Sequence, residues 1–325
     1  MLDLTMPSFE TRTGLPPLDV LLAAPRGFCA GVRRAIDAVE DALLAYGAPV
    51  YVRRAIVHNS IVVRGLEAKG AVFVEELSEV PEGAVAILSA HGVARSVFAA
   101  AEARGLRTVD AVCPLVAKVH REVVRHHRGG RRVVLVGHAG HPEIVGTLGQ
   151  VPDGAVLLVQ GAGDVAALPL AADEPVAYAV QTTFSVDEAH EIVAALEARF
   201  ADLAAPPASD ICYATSNRQT ALKAIARQVD AVIVAGEHFS SNACRLRDVA
   251  RAMGCQSVQL AAGPEEINWG LLEGRRRLGV SAAASTPESA VNAIVEALRE
   301  RFSVTLFEAP ATVDETVSFR PLKVA

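Results

Sequence analysis

The sequence predicts an α/β protein built on parallel sheets, and three observations carry that reading. Short apolar runs alternate with amphipathic stretches of helical period from one end of the 325-residue chain to the other. The hydrophobic half of the composition is mainly Ala and Val, with aromatics at only 5%, which suits strands buried on both faces and the helices that cover them. Three of the five cysteines, Cys29, Cys113 and Cys212, repeat one local setting: a short hydrophobic run leads to the Cys and an amphipathic stretch follows it.

Strand-sized runs fall at 20–24, 50–57, 84–89, 107–112, 132–137, 155–159, 177–181, 231–235 and 278–281. Each is rich in Val, Ile, Leu or Ala and too short for a buried helix. Helical patterns separate most of them, at 32–46, 60–69, 114–125, 142–150, 186–199 and 220–228. Such alternation implies βαβ units and open parallel sheets with helices on both faces. The length exceeds what one core organises, so more than one domain is expected. The Ala/Pro-rich stretch 201–210 marks the clearest boundary, and a softer one near Gly105 rests on the repeated cysteine setting. The expected organisation is a flexible tail over 1–16, domains over 17–105 (Cys29), 106–204 (Cys113) and 205–306 (Cys212), and a C-terminal tail over 307–325 packed back on the body.

Several function classes are disfavoured. A net charge of −6 and few aromatics argue against a nucleic-acid surface, and the RGGRR run at 128–132 reads as a solvated helix end. The longest apolar runs are strand-sized, so no membrane association is expected. The N-terminus lacks a basic start followed by an apolar core, so no secretory signal is expected either. With an odd cysteine count, this points to reduced thiols and a cytoplasmic protein. Neither a GxGxxG on a first βα turn nor a GxxxxGK[ST] loop is present, which removes support for dinucleotide or nucleoside triphosphate binding. RGFCAG is a glycine-flanked turn, but its centre is Cys29, which points to a metal centre.

The three thiols are too far apart in sequence to form a local zinc knuckle. If they converge, they do so where three structural units meet, and three thiolates can hold one multinuclear site. A thiolate at a helix N-terminus has a lowered pKa. An iron–sulfur cluster with three protein ligands would keep one metal corner open for a substrate. Two rivals remain: a zinc-containing protein using the same Cys and His residues, and a redox-inactive binder of a small phosphorylated ligand.

The polar residues that matter stand at strand ends, where open α/β sheets bind ligands. They are His58, His91, His138, His141 and Glu143, then Thr182 with Thr183, then Ser240, Ser241 and Asn242, and finally Ser285. Such side chains, with exposed helix N-terminal amides, suit a phosphate or diphosphate bound without Mg²⁺. Taken singly, each is more simply a loop or capping residue. Ser285 reads as the start of a capping box with Glu288, and the Thr pair as β-formers ending a strand. Cys244 and Cys255 fall outside the cysteine pattern and read as buried small hydrophobes. Recurrence at strand end after strand end is what favours function.

Eight segments in order, APRGFCAGVRRAI, VHNSIVV, SAHGV, VCPLVAKVH, GHAGHPEIVGTLGQ, QTTFSV, ICYATSNRQ and SSNACRL, resemble the 4-hydroxy-3-methylbut-2-enyl diphosphate reductase family. The match runs from about residue 20 to residue 287, nearly the whole chain. The resemblance implies three pseudo-symmetric α/β domains arranged as a trefoil around a central 4Fe-4S cluster. Cys29, Cys113 and Cys212 match the family's ligands, leaving one open iron for the substrate's hydroxyl. His58, His91 and His141 match histidines that surround the substrate, and Ser240, Ser241, Asn242 and Ser285 match residues that hold its diphosphate. Glu143 matches the proton-delivering acid, with Thr182 holding and relaying to the hydroxyl. The implied reaction is the reductive dehydroxylation of an allylic diphosphate to isopentenyl and dimethylallyl diphosphate, with ferredoxin or flavodoxin supplying electrons.

Two departures flank the implied diphosphate subsite. The family often shows T-A-G-A-S where this chain has Ser281-Ala282-Ala283-Ala284-Ser285, so Ala283 is expected to tighten the loop unless its backbone avoids positive φ. His238 and Phe239 stand where smaller or more polar residues are common. Glu143 falls in the first turn of a helix opened by Pro142, where the dipole alone would lower its pKa. An acid there needs an opposing influence, such as desolvation by bound substrate or a hydrogen bond passed through Thr182.

Overall fold

The computed structural model describes residues 14–324, so most of the expected N-terminal tail over 1–16 lies outside the described residues. The chain forms β1 (Pro17–Leu22), α1 (Ala30–Tyr46), β2 (Val50–Arg53), α2 (Ser60–Glu67), β3 (Ala71–Val74), β4 (Val85–Leu88), α3 (Arg95–Ala103) and β5 (Arg107–Asp110). It continues through α4 (Pro114–Arg128), β6 (Arg132–Val136), α5 (Pro142–Leu148), β7 (Val156–Val159), α6 (Ala162–Ala166), β8 (Val176–Val180), α7 (Val186–Arg199) and β9 (Leu203–Ala204). It closes with α8 (Tyr213–Ala226), β10 (Ala231–Ala235), α9 (Ser241–Ala252), β11 (Ser257–Ala261), β12 (Arg277–Ala282), α10 (Glu288–Arg301) and β13 (Ser303–Glu308).

Two compact units divide the chain. Unit 1 holds the residues up to Gly27 together with Asn217–Glu315, and unit 2 holds Phe28–Ser216 together with the segment from Thr316 onward. Unit 2 contains two parallel sheets, ordered β3-β2-β4-β5 and β7-β6-β8-β9. The same winding is used twice. Unit 1 contains a five-stranded parallel sheet ordered β11-β10-β12-β1-β13, which is that winding a third time with β1 inserted before its last strand. The predicted α/β class on parallel sheets is what the chain adopts.

Strand membership departs from the expected cut in two places. β1, placed by its position at the head of the 17–105 domain, pairs instead in unit 1, with Val20 beside Leu278 on one side and Leu306 on the other. Its Leu18, Val20 and Leu22 point into the core built on Leu278, Val280 and Ile294, a burial no strand of unit 2 supplies. β5, expected to open the 106–204 domain, pairs with β4. β2 also stops short of the expected residue 57. Arg54 takes a left-handed φ of 58°, and Arg53 and Arg54 both turn to Glu76, which ends the strand.

Helices cover both faces of the sheets, so central strands are buried along their length. β10 is buried at all five residues, with Ala231, Ile233 and Ala235 on one face and Val232 and Val234 on the other. The expected C-terminal tail over 307–325 begins inside β13, and its last residues belong to unit 2. There Arg34 Nε donates to the Arg320 carbonyl at 3.0 Å, and Leu322 and Val324 pack on the core of α1 and β2. Among the described residues, no helix is long and apolar enough to cross a membrane.

Candidate active site

In a parallel α/β sheet, a crevice opens beyond the carboxyl ends of the strands where neighbouring crossovers leave in opposite directions. The strand orders put these points between β2 and β4, between β6 and β8, and between β10 and β12. His58 and His91 follow β2 and β4, His141 and Glu143 follow β6, and Thr182 follows β8. Ser240, Ser241 and Asn242 follow β10, and Ser285 follows β12. Every candidate substrate residue therefore stands at one of the three switch points. Cys113 and Cys212 come after β5 and β9, the last strands of the two windings in unit 2.

Cys29 and Cys113 are the N-cap residues of α1 and α4, and Cys212 directly precedes α8. The Cys29 Sγ accepts from the Val32 N–H at 3.4 Å, and the Cys212 Sγ from the Thr215 N–H at 3.4 Å. A Cβ added to Gly31 would stand 2.8 Å from the Cys113 Sγ and 3.8 Å from the Cys29 Sγ, so bare backbone at this position leaves room between the two sulfurs. The Ala30 N–H donates to the Tyr213 hydroxyl at 3.0 Å, tying the helix after Cys29 to the residue after Cys212. Burial, with added repulsion from neighbouring thiols, pushes Cys113 up to about 12 and Cys212 up to about 11. The strand expected to lead into Cys212 is not formed. β9 ends at Ala204, and the chain is held instead by the Val180 N–H on Asp210 Oδ2 and the Cys212 N–H on the Thr182 carbonyl, both at 3.0 Å.

The three expected histidines do meet. The His58 ring centroid lies 4.1 Å from that of His91 and 5.6 Å from that of His141, and His91 and His141 are 6.0 Å apart. Two glycines permit the approach: a Cβ on Gly146 of α5 would come within 2.9 Å of the Gly92 carbonyl oxygen. Gln150 Nε2 then fastens the contact by donating to the Val93 carbonyl at 2.7 Å. Burial pulls His58 down to about 4 and His141 down to about 3, and holds His91 well below the usual imidazole range. All three are neutral at neutral pH. His141 Nδ1 accepts from the Glu143 N–H at 3.2 Å, which assigns the ring proton to Nε2. That Nε2 is buried and has no hydrogen-bond partner among the described residues.

Pro142 opens α5 and puts Glu143 in its first turn. The carboxylate is buried and accepts twice from Thr182: the backbone N–H reaches Oε1 at 2.7 Å and the hydroxyl reaches Oε2 at 2.7 Å. Burial pushes the Glu143 carboxyl up to about 7, with a smaller contribution from Asp210, while the Thr182 hydrogen bonds pull it down. The opposing influence that an acid needs here is thus the protein's own burial, and Thr182 works against it. A carboxyl raised above its ordinary range contributes its full stability at low pH and loses it as pH rises from about 4.5 through about 7. Glu143→Gln, neutral throughout, is therefore expected to stabilise the metal-free chain relative to the parent at pH 8, by up to about 3 kcal/mol, and much less at pH 5. Urea unfolding at the two pH values checks this, and an equal difference at both would rule out the neutral carboxyl.

The phosphate-binding candidates of unit 1 form a second group. Ser240 caps the twelve-residue α9, its Oγ accepting from the Ala243 N–H at 3.4 Å. Asn242 Oδ1 accepts from the Ala284 N–H at 2.9 Å and so fastens the turn carrying Ser285 to α9. The capping box expected from Ser285 and Glu288 is not formed. The Thr286 hydroxyl donates to the Ala235 carbonyl, α10 opens only at Glu288 with Pro287 at its N-cap, and Glu288 pairs with Arg26. Ala283 carries no strain, since Arg54 is the one non-glycine residue with left-handed φ among the described residues. Its methyl faces Gly236, where a Cβ would come within 3.2 Å of it. Phe239 is exposed, and His238 lies 3.7 Å from Glu266, so neither departure presses on the donors. Cys255 is buried as expected. Cys244 is only half-buried, its thiol donating to the His238 carbonyl at 3.1 Å.

A cavity of about 380 Å³ in unit 1, lined by Trp269, Arg275, Arg276 and Arg301 among others, opens at the amino ends of β1, β12 and β13. Ser240, Asn242 and Ser285 stand at the carboxyl ends of the strands, so the cavity does not include these candidates. Unit 2 residues that sequence reasoning missed include Lys118 and Asp210, which join α4 to the segment before Cys212. They also include Tyr213 and His120, whose ring would lie 2.6 Å from a Cβ on Gly92.

The family model described as LytB protein matches residues 20–299. The chain belongs to the LytB family. The 4-hydroxy-3-methylbut-2-enyl diphosphate reductase of Beijerinckia indica is 53% identical over 308 residues, covering 94% of this chain and 96% of the relative. That of Cereibacter sphaeroides is 53% identical over 306 residues, with the same coverage of 94% and 96%. A solved E-1-hydroxy-2-methyl-but-2-enyl-4-diphosphate reductase from Plasmodium falciparum superposes with a TM-score of 0.88 at 34% identity, covering 94% of this chain and 96% of that one. A solved (E)-4-hydroxy-3-methyl-but-2-enyl diphosphate reductase, described as the terminal enzyme of the non-mevalonate pathway, gives 0.62 at 32% identity, covering 87% and 99%. The family resemblance carried by the eight sequence segments is borne out.

Proposed function

We propose that Cys29, Cys113 and Cys212 anchor a 4Fe-4S cluster with one iron left without a cysteine, and that Glu143, through Thr182, protonates the oxygen that leaves the substrate. The chain reduces 4-hydroxy-3-methylbut-2-enyl diphosphate in the methylerythritol phosphate route to isoprenoids, and iron–sulfur chemistry is general to its family. The reaction removes an allylic hydroxyl as water, consumes two electrons and two protons, and leaves isopentenyl or dimethylallyl diphosphate. The rival reading, a zinc-containing or redox-inactive binder of a small phosphorylated ligand, is not favoured by membership of this family.

The donor set fits such a cluster. Backbone N–H groups already point at two of the sulfurs, and Gly31 keeps space between the Cys29 and Cys113 thiols. Burial leaves Cys113 and Cys212 protonated until a cation displaces the protons. When bound, the cluster supplies electrons one at a time and a Lewis-acidic iron for the departing oxygen.

The observation that carries the mechanism is the buried Glu143 clasped by Thr182. With its carboxyl pushed up to about 7, a substantial share of Glu143 keeps its proton near neutral pH. Protonated, it donates to Thr182 Oγ1 across the same short contact, and the threonine hydroxyl hydrogen is released toward the substrate's hydroxyl. The oxygen then departs as water, because hydroxide is a poor leaving group. His141 offers its Nε2–H, and neutral His58 and His91 surround the substrate and keep water away. Ser240, Ser241, Asn242 and Ser285 hold the diphosphate with hydroxyl, amide and helix N-terminal donors. Single-electron delivery calls for a carrier of the ferredoxin or flavodoxin kind, and reduced thiols suit the cytoplasm.

The test is anaerobic purification followed by iron and acid-labile sulfide analysis and an assay of substrate-dependent oxidation of a reduced viologen. A brown chain that turns over is expected. A colourless, zinc-loaded chain would overturn the reading. For the diphosphate end, Asn242→Ala frees the turn after β12 and removes one donor. KM is expected to rise by roughly ten- to a hundredfold while the visible spectrum stays unchanged, in line with a hydrogen bond to a charged group. An unchanged KM, or substrate and free alcohol bound equally well, would remove the diphosphate assignment.

A further inference from the structure

The thiols of unit 2 are supported by an ion pair, its carboxylate fully buried and its ammonium partly exposed, that touches neither them nor any candidate substrate residue. Lys118 lies on α4, the helix that Cys113 caps. Its ammonium donates to the Ala208 carbonyl at 2.7 Å, to the Ser209 carbonyl at 3.2 Å and to Asp210 Oδ1 at 3.0 Å. Asp210 stands two residues before Cys212, and its side chain is fully buried. Its second oxygen, Oδ2, accepts from the Val180 N–H at the end of β8. Beyond it, the Cys212 N–H donates to the Thr182 carbonyl at 3.0 Å, and Thr182 in turn holds both oxygens of Glu143. One continuous set of hydrogen bonds thus runs from the Cys113 helix, through Lys118 and Asp210, to the Cys212 segment and the acid.

An ion pair whose carboxylate is fully buried is a poor device for stability alone, because desolvating that charge offsets much of the attraction. What it adds is geometry. The segment 205–212 is irregular, with no ladder of its own after β9, so nothing in its local structure sets where Cys212 stands. Lys118 binds three successive residues of it, and Asp210 locks it to β8.

We propose that Lys118 and Asp210 act as one positioning pair that sets the placement of the Cys212 thiol relative to the Cys113 thiol, and so the tightness with which the chain holds its cluster. The proposal rests on the cluster assignment made above. Both residues are positioning residues and neither is a ligand.

The experiment compares the full chain with Asp210→Asn, Lys118→Arg and the double variant Lys118→Met/Asp210→Asn, each reconstituted anaerobically with ferrous iron and sulfide. Far-UV circular dichroism reports the fold, and the rate of iron transfer to a ferrous chelator reports how firmly the cluster is held. Asp210→Asn and the double variant are expected to fold as the parent does yet release iron about ten- to a hundredfold faster, the usual scale for residues that orient metal ligands. Their visible spectra should also change. Lys118→Arg, which keeps the charge and its donors, is expected to hold iron like the parent. Asp210→Asn and double-variant chains that release iron at the parental rate would overturn the proposal. So would variants that fail to fold, which would assign the pair to the fold at large. A parent chain that takes up no iron would instead sink the cluster assignment itself, so the two failures are distinguishable.

Discussion

Chains carrying Cys113→Ser are expected to leave an anaerobic column colourless, with iron at background and turnover abolished. A cluster with three protein anchors has none to spare, and Cys29→Ser and Cys212→Ser should behave alike. The loss cannot be laid to an unravelled helix. Serine is itself a preferred N-cap, and at position 29 its hydroxyl can accept from the Val32 N–H in place of the sulfur. Cys244→Ser and Cys255→Ser should keep iron and activity. Cys255 fills the core of unit 1, and Cys244 spends its thiol on the His238 carbonyl. Iron analysis on the five single variants decides the matter. Loss of the cluster from Cys244→Ser as complete as from Cys113→Ser would show the ligand set to be wrong.

Glu143→Gln separates proton delivery from binding. Glutamine keeps the size of the side chain and can still accept the Thr182 N–H, but has no proton to give. Turnover is expected to fall by roughly a hundred- to ten-thousandfold, the scale of general acid catalysis, while substrate affinity and the cluster spectrum persist. The pH profile carries the sign. With the acid form required and burial holding its carboxyl near 7, kcat/KM of the parent should decline as pH rises through about 7. That limb should vanish in the Gln variant. Thr182→Val offers an independent check. The Thr182 hydroxyl pulls the Glu143 pKa down, so its removal should move the alkaline limb upward while the rate falls. A Gln variant reducing substrate at near parental rate would eliminate Glu143 as the acid.

What could be foreseen from the amino-acid sequence depended on how local the causes were. Runs buried on both faces, such as RVVLV in β6 and AVIVA in β10, announce strands by composition alone. β11 is hard to read from its sequence because Ser257 and Gln259 are polar, yet both are buried, Gln259 exchanging hydrogen bonds with the backbone of Asn268. α9 is masked in the sequence by the polar character of SNACRLRDVARA, although Asn242, Ala243, Leu246, Val249 and Ala250 give it a buried face. α8 starts at Tyr213, well before the expected residue 220, because Thr215, Arg218 and Gln219 are polar and yet fully interior. Arg218 donates to the Gly27 carbonyl and pairs with Glu315, partners far away in sequence. The strand ends could be picked out because they recur. Their partners could not, since Asp210 with Lys118, or Gln150 with Val93, exist only once the windings have closed.

The place of β1 bears on how the molecule is made. This strand precedes every other element described, yet both its neighbours, β12 and β13, are made more than two hundred residues after it. Unit 2 is almost wholly contiguous, from Phe28 to Ser216, so its two sheets can close while the ribosome is still adding the remainder. The nascent Leu18, Val20 and Leu22 must wait, uncovered, for a loop of more than two hundred residues to be bridged. The part of the chain carrying all three thiols is therefore complete before the part carrying Ser240 and Asn242 exists. Truncation after Ser216 would leave β1 as an orphan sticky segment, a hazard that deleting the first twenty-two residues from such a fragment would remove.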